Sequence, residues 1–178
     1  MNDLTAQVET VHDKIYVLLW FDGVYIYSPK TNYYFLFLYI FSAPNCQNVA
    51  FMASLSKNIL HAQNGLQLKF DKMELNSGNA YRPFHGNFIA PVSGTYFFTY
   101  TATTTPNAWI RIYLKRNGIA VGQLINTALS SYLKTTESVV LHLNKSDDVW
   151  LETSDIHGDT IITSTTECHF AGFLLRCD

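Results

Sequence analysis

The chain has 178 residues, enough for one domain that buries its own core plus an appended segment. Twelve Lys and Arg stand against fourteen Asp and Glu with no basic run, which excludes tracking a phosphate backbone, so nucleic acid is not an expected partner. Eleven Tyr and twelve Phe, with Thr, Val and Ile filling many short runs, are the vocabulary of strands.

At the start of the chain, Leu4, Val8, Val11 and Ile15 recur at steps of four, three and four, the seam spacing of a heptad, with Asp, Gln, Glu and Lys between them. Residues 1–15 therefore read as a coiled-coil stub, or as an ordinary amphipathic helix or frayed tail. No clean secretory signal opens the chain: residues 1–14 are polar, and the apolar run 15–21 is short and ends at Asp22.

Residues 16–46 form an irregular, aromatic-rich segment. Its stretch 16–41 holds six Tyr, four Phe and one Trp, eleven of the chain's twenty-six aromatics, with no steady period of 2 or 3.6. Two readings stay open. Tyr, Phe, Ile, Leu, Asn and Lys are what AT-rich sequence encodes, and residues 35–42 fit a pyrimidine tract running into a splice acceptor, so the segment reads as a retained intron. Alternatively it is a membrane-proximal or interface hairpin, since exposed aromatic surface marks contact. The apolar run 33–43 is half of the ~20 residues that a membrane helix needs, and Asp22, Pro29 and Lys30 interrupt any longer span, so no transmembrane segment is expected.

From residue 49 onward short strands alternate with turn signals. Tyr96, Phe98, Tyr100 and Ala102 fall on one face of a strand and Phe97, Thr99, Thr101 and Thr103 on the other; Ile110, Ile112 and Leu114 alternate with Trp109, Arg111, Tyr113 and Lys115. Further strands are predicted at 138–143, 149–153 and 169–176. Asn64-Gly65, Ser77-Gly78-Asn79, Ser93-Gly94, Asn117-Gly118 and His157-Gly158-Asp159 supply the turns. Many short strands without a helical stretch point to an all-β sandwich or jelly roll of two antiparallel sheets. Gly94 is expected to permit a tight turn, and the aromatics beyond it to fill the space between the sheets.

No nucleophile elbow, phosphate loop or HExxH sequence occurs, and the six His are scattered, so no enzyme is expected. Cys46, Cys168 and Cys177 cannot all pair within one chain and lack the spacing of a zinc site; Cys168 reads as a buried hydrophobe. Asp147 and Asp148, with Asp155 and Asp159, offer loop carboxylates for calcium, against which stands the reading of plain turn aspartates. Asn144-Lys145-Ser146 is a glycosylation acceptor in a predicted exposed turn.

One spaced series stands out: Phe70, Asn76, Tyr81, Phe88, Gly94, Tyr96, Phe98 and Tyr100. This series resembles the signature of the C1q domain, with every position filled. Val49-Ala50-Phe51-Met52-Ala53 is similar to that family's first strand, residues 143–151 to its late hairpin, and residues 170–175 to its closing strand. The resemblance covers residues 47–178. One position departs from it: the family's Gly-Asp before the penultimate strand is Ser146-Asp147 here. No Gly-x-y repeat precedes the head, so the chain resembles the short, stalkless or coiled-coil members, numerous in bivalve molluscs, that act as soluble lectins.

The resemblance implies a C1q/TNF-like jelly roll with a short N-terminal helical or irregular extension, and neighbouring first and last strands that would let Cys46 bridge to Cys177. It also implies a secreted homotrimer that recognises glycans or microbial surfaces in innate immunity. The alternatives are a tumour-necrosis-factor-like ligand for a protein receptor and a plain trimerisation module. Ligand contacts are expected from loops at one end of the sandwich, with Asn107, Trp109, Tyr132, Lys134, Asp155, His157 and Asp159 as candidates that combine stacking surfaces with polar groups suited to sugars or acidic glycans.

Overall fold

The computed structural model describes residues 7–11, 14–18, 46–157, 161–164 and 168–178. The chain divides into two units, residues 1–45 and 46–178. In the first, β1 (Gln7–Val11) pairs antiparallel with β2 (Lys14–Leu18), Val8 opposite Val17 and Thr10 opposite Ile15. Strands thus stand where the heptad spacing predicts a helix. Two heptads fall short of the three or four that make such a pattern decisive, and Val8, Thr10, Val11, Ile15 and Val17 are β-branched residues that favour a strand. The aromatic segment contributes its first three residues to β2; residues 19–45 lie outside the described residues.

The second unit is a sandwich of two five-stranded antiparallel sheets, and no helix occurs among the described residues. Its strands are β3 (Ala50–Ser54), β4 (Lys72–Ser77), β5 (Tyr81–Arg82), β6 (Asn87–Ile89), β7 (Gly94–Thr104), β8 (Trp109–Arg116), β9 (Ile119–Thr127), β10 (Leu133–Leu143), β11 (Asp148–His157) and β12 (His169–Cys177). The first sheet runs β10-β7-β12-β3-β4 and the second β5-β6-β11-β8-β9. The chain passes repeatedly from one sheet to the other, the winding of a jelly roll.

The core lies between the sheets and is built by alternation. Tyr96, Phe98, Tyr100 and Ala102 of β7 point inward, as do Ile110, Ile112 and Leu114 of β8 and Val149 and Leu151 of β11. Rings fill the middle: Phe51 stacks on Tyr81 at 4.8 Å between centroids and meets Phe170 edge-on at 4.9 Å, while Phe88 meets Tyr96 at 5.4 Å and Phe98 at 5.3 Å. Edge-to-face and stacked pairs at these separations add to plain area burial.

Two members of the spaced series work differently from the rest. Asn76 is half-buried and clamps the backbone of Tyr81 at both ends, its Nδ2 donating to the Tyr81 carbonyl at 3.0 Å and its Oδ1 accepting from the Tyr81 N–H at 3.2 Å. Gly94 does not occupy the left-handed backbone expected of a turn glycine. It is needed because β12 passes too close: a Cβ there would stand 2.3 Å from the Arg176 carbonyl oxygen and 2.9 Å from Cys177 Cα.

Candidate functional site

With the aromatics of alternate positions turned inward, the opposite positions build two outer faces. On the first sheet, cross-strand register lines up Val140, Phe97, Phe173 and Ala50, and the adjoining row holds Ser138, Thr99, Ala171, Met52 and Leu75. Phe97 and Phe173 meet at 5.2 Å. Phe173 is 43% exposed, Val140 58% and Leu175 52%, so among the described residues the face is an exposed apolar patch on a sheet. Such patches mark contact surfaces. Beside it a polar row runs Thr136, Thr101, His169: the Thr101 and Thr136 hydroxyls lie 2.8 Å apart, and His169 Nε2 is 3.3 Å from Thr101 Oγ1. Burial, and secondarily the charge of Lys134, lower the pKa of His169.

On the second sheet the outward positions of β8 are Trp109, Arg111, Tyr113 and Lys115. Their partners on β11 include His157 opposite Trp109, Glu152 opposite Tyr113 and Trp150 opposite Lys115. The Arg111 guanidinium lies 5.5 Å from the Trp109 ring centre and 6.0 Å from that of Tyr113, and its Nη1 donates to Asp155 Oδ2 at 2.6 Å. Trp109 and His157 stand 5.0 Å apart between ring centres and, with Asn107 and Leu129, line a shallow cleft of about 310 Å³. A bulge in β11 between Ser154 and His157, with Asp155 at φ 45°, turns the acidic side chain back to Arg111.

Four of the expected ligand residues, Asn107, Trp109, Asp155 and His157, therefore share one patch. Arg111 and Tyr113 join it and were not singled out from the sequence, although the alternation of β8 signals them: every outward side chain of that strand is aromatic or cationic. Tyr132 and Lys134 are not joined to the patch by any described contact. Tyr132 is exposed just ahead of β10, and Lys134 opposes Thr103 on the first sheet. Asp159 lies outside the described residues.

The carboxylates considered for calcium brace a turn. Asp147 accepts from Asn117 Nδ2 at 2.8 Å and from the Asn144 N–H at 3.0 Å, and the Asn117 bond holds its pKa below the ordinary carboxylate value. Asp148 accepts from Asn87 Nδ2 at 2.8 Å. No group of three or more His, Cys, Asp or Glu gathers to hold a metal among the described residues. Asn144 is exposed on the same turn. Cys46 and Cys177 are joined by a disulfide with their Cα atoms 5.8 Å apart, while Cys168 is free and buried.

Comparison with known proteins places these features in context. The C1q domain model matches residues 50–175. Complement C1q tumor necrosis factor-related protein 3 of Homo sapiens is 37% identical over 131 residues, covering 71% of this chain and 51% of the relative. Complement C1q tumor necrosis factor-related protein 2 of Mus musculus is 30% identical over 131 residues, 72% of this chain and 44% of the relative. The chain thus spans about half the length of the curated relatives it matches. Among solved structures, the globular domain of zebrafish complement 1qA protein superposes with a TM-score of 0.62 at 20% identity, covering 74% of this chain and all of that one. The Eiger TNF structure from S. frugiperda superposes with a TM-score of 0.60 at 10% identity, covering 75% and 96%. These two show a shared fold.

Proposed function

The chain belongs to the C1q-domain family, and on that premise we propose that it is a secreted homotrimeric recognition protein that binds glycans on microbial or other cell surfaces in innate immunity. Binding, and not catalysis, is its activity. Three copies associate through the outer face of the first sheet, around Phe97 and Phe173, and each presents the outer face of the second sheet to ligand. Weak single sites then gain strength through valency.

The observation that carries this reading is the patch of Trp109, Arg111, Tyr113, Asp155 and His157. An indole and an imidazole supply flat apolar surface for a sugar ring, and the Arg111–Asp155 pair supplies fixed donors and acceptors at its edge. The test is a glycan array and a lipopolysaccharide binding screen with the full chain, repeated with Trp109→Ala and His157→Ala. Loss of binding in both variants is expected; unchanged binding in both removes the site.

A second reading, a TNF-like ligand for a protein receptor, draws on the naming of the C1q/TNF-related relatives and on the fold shared with the Eiger TNF structure. It predicts saturable binding to one protein and a blank glycan array. A chain that is trimeric and binds neither leaves a trimerisation module.

A further inference from the structure

The turn that joins β10 to β11 is tied down along its backbone. The Asn144 N–H donates to Asp147 Oδ2 at 3.0 Å, and the Asp147 N–H closes the turn on the Asn144 carbonyl at 3.0 Å. The Lys145 N–H donates to Ser93 Oγ at 2.9 Å and the Ser146 N–H to the Ala90 carbonyl at 2.8 Å. Two side chains stand clear of this scaffold. Asn144 and Ser146 are exposed, and neither the Asn144 carboxamide nor the Ser146 hydroxyl makes a hydrogen bond among the described residues. Asn117, on the neighbouring turn, is the contrast: its Nδ2 donates to Asp147 and its Oδ1 accepts from the Asp148 N–H.

Ser146 is the third residue of the turn and sits at φ 75°. A turn of this kind demands a positive φ at its third position, which glycine or asparagine meets with little strain. Serine does not, and its hydroxyl recovers nothing through a local bond. The family pattern has glycine here. Strain that no local contact explains is a sign of function. What serine supplies and glycine lacks is a hydroxyl two residues beyond an asparagine: Asn144-Lys145-Ser146 is the only Asn-x-Ser/Thr sequence in the chain.

We propose that Asn144 bears an N-linked oligosaccharide, with Ser146 as the hydroxyl residue that its attachment requires. This rests on the reading of the chain as secreted, because such acceptors are used in secreted proteins. In the step, Asn144 Nδ2 bonds to C1 of an N-acetylglucosamine supplied as a lipid-pyrophosphate-linked oligosaccharide. The C1–O bond to pyrophosphate breaks, the lipid pyrophosphate leaves, and the amide gives up one proton. The glycan projects from the end of the sandwich where Gly94 pairs with Leu143 and Cys177. From this turn β11 runs ten residues to reach His157, about 30 Å at the ~3.3 Å rise of a strand. The Trp109 patch is therefore left uncovered.

The experiment has two arms, each read by intact mass before and after peptide N-glycosidase F. In the first, the full chain is translated behind a cleavable signal peptide in the presence of microsomes. The protease-protected product is expected to carry one oligosaccharide, which the enzyme removes to leave an aspartate in place of Asn144. Asn144→Gln and Ser146→Gly are expected to lose it completely, and Ser146→Thr to keep it. A protected product without a glycan, or a glycan that survives Asn144→Gln, would overturn the proposal. In the second arm, the natural protein is captured by antibody from extracellular fluid and from cell lysate. Glycosylated protein in the fluid is expected. Unmodified protein in the fluid would overturn the proposal alone, whereas unmodified protein confined to the lysate would overturn the secreted reading and the proposal with it.

Discussion

Ser146 holds a left-handed backbone at φ 75° in the turn between β10 and β11, with its N–H donating to the Ala90 carbonyl at 2.8 Å. A non-glycine residue pays about 1–2 kcal/mol for that conformation, and the family's glycine does not. Ser146→Gly in unglycosylated protein is expected to raise stability by about 0.5–1 kcal/mol after the added freedom of the unfolded chain is subtracted, read as a higher urea midpoint at unchanged slope. Gly94→Ala has the opposite sign, costing about 1–3 kcal/mol or more, because the intruding methyl meets backbone that cannot swing away. Phe98, fully buried among Phe51, Phe88 and Phe170, should cost about 3–5 kcal/mol on truncation to Ala. Period-two alternation made Phe98 legible beforehand. The reason for Gly94 was not, since close approach of β12 depends on a strand more than seventy residues away in the chain and leaves no local trace.

The strands differ in how plainly they announce themselves. β7 and β8 alternate without interruption and were legible residue by residue, inward set and outward set alike. β9 was not: Ile119–Thr127 contains Gly122, which lies against Val139 and the Tyr100 hydroxyl where a Cβ would come within 2.7 Å and 3.1 Å, and buries only Leu124 and Asn126. A strand that packs through a glycine and a buried amide lacks the apolar rhythm that reading relies on. β11 likewise runs past the predicted end, because its bulge shifts the register and hides the patch residues Asp155 and His157 from simple alternation.

The polar row beside the apolar face of the first sheet carries a pH dependence. Burial and Lys134 depress the pKa of His169 below its usual 6.5, so the folded state prefers the neutral ring. Below pH 6.5 the unfolded chain takes up a proton that the folded one resists, and stability falls as pH drops until the folded pKa is passed. His169→Gln is expected to flatten the melting temperature over that window; an unchanged slope contradicts the assignment. On the apolar row, Phe173→Glu should leave each sandwich folded but break association, read as a fall in sedimentation coefficient with an unchanged near-ultraviolet spectrum.

At the scale of the molecule, one set of alternating side chains makes the core and the set between them makes two faces of unlike chemistry, apolar on the first sheet and aromatic-cationic on the second. The core half of this division was written in the spacing of Phe70 through Tyr100. The outer half was only partly so, because contact surfaces are assembled from rows across strands, and Val140, Phe97 and Phe173 become neighbours only through the sheet order. Covering the apolar face in a threefold assembly leaves the aromatic-cationic faces outward, which is the arrangement that multivalent recognition requires. The most direct measurement is the mass of the purified full chain in solution by multi-angle light scattering. Three times the 20.2 kDa chain mass is expected, with collapse to a single copy in Phe173→Glu; a wild-type chain that stays monomeric at micromolar concentration would contradict it.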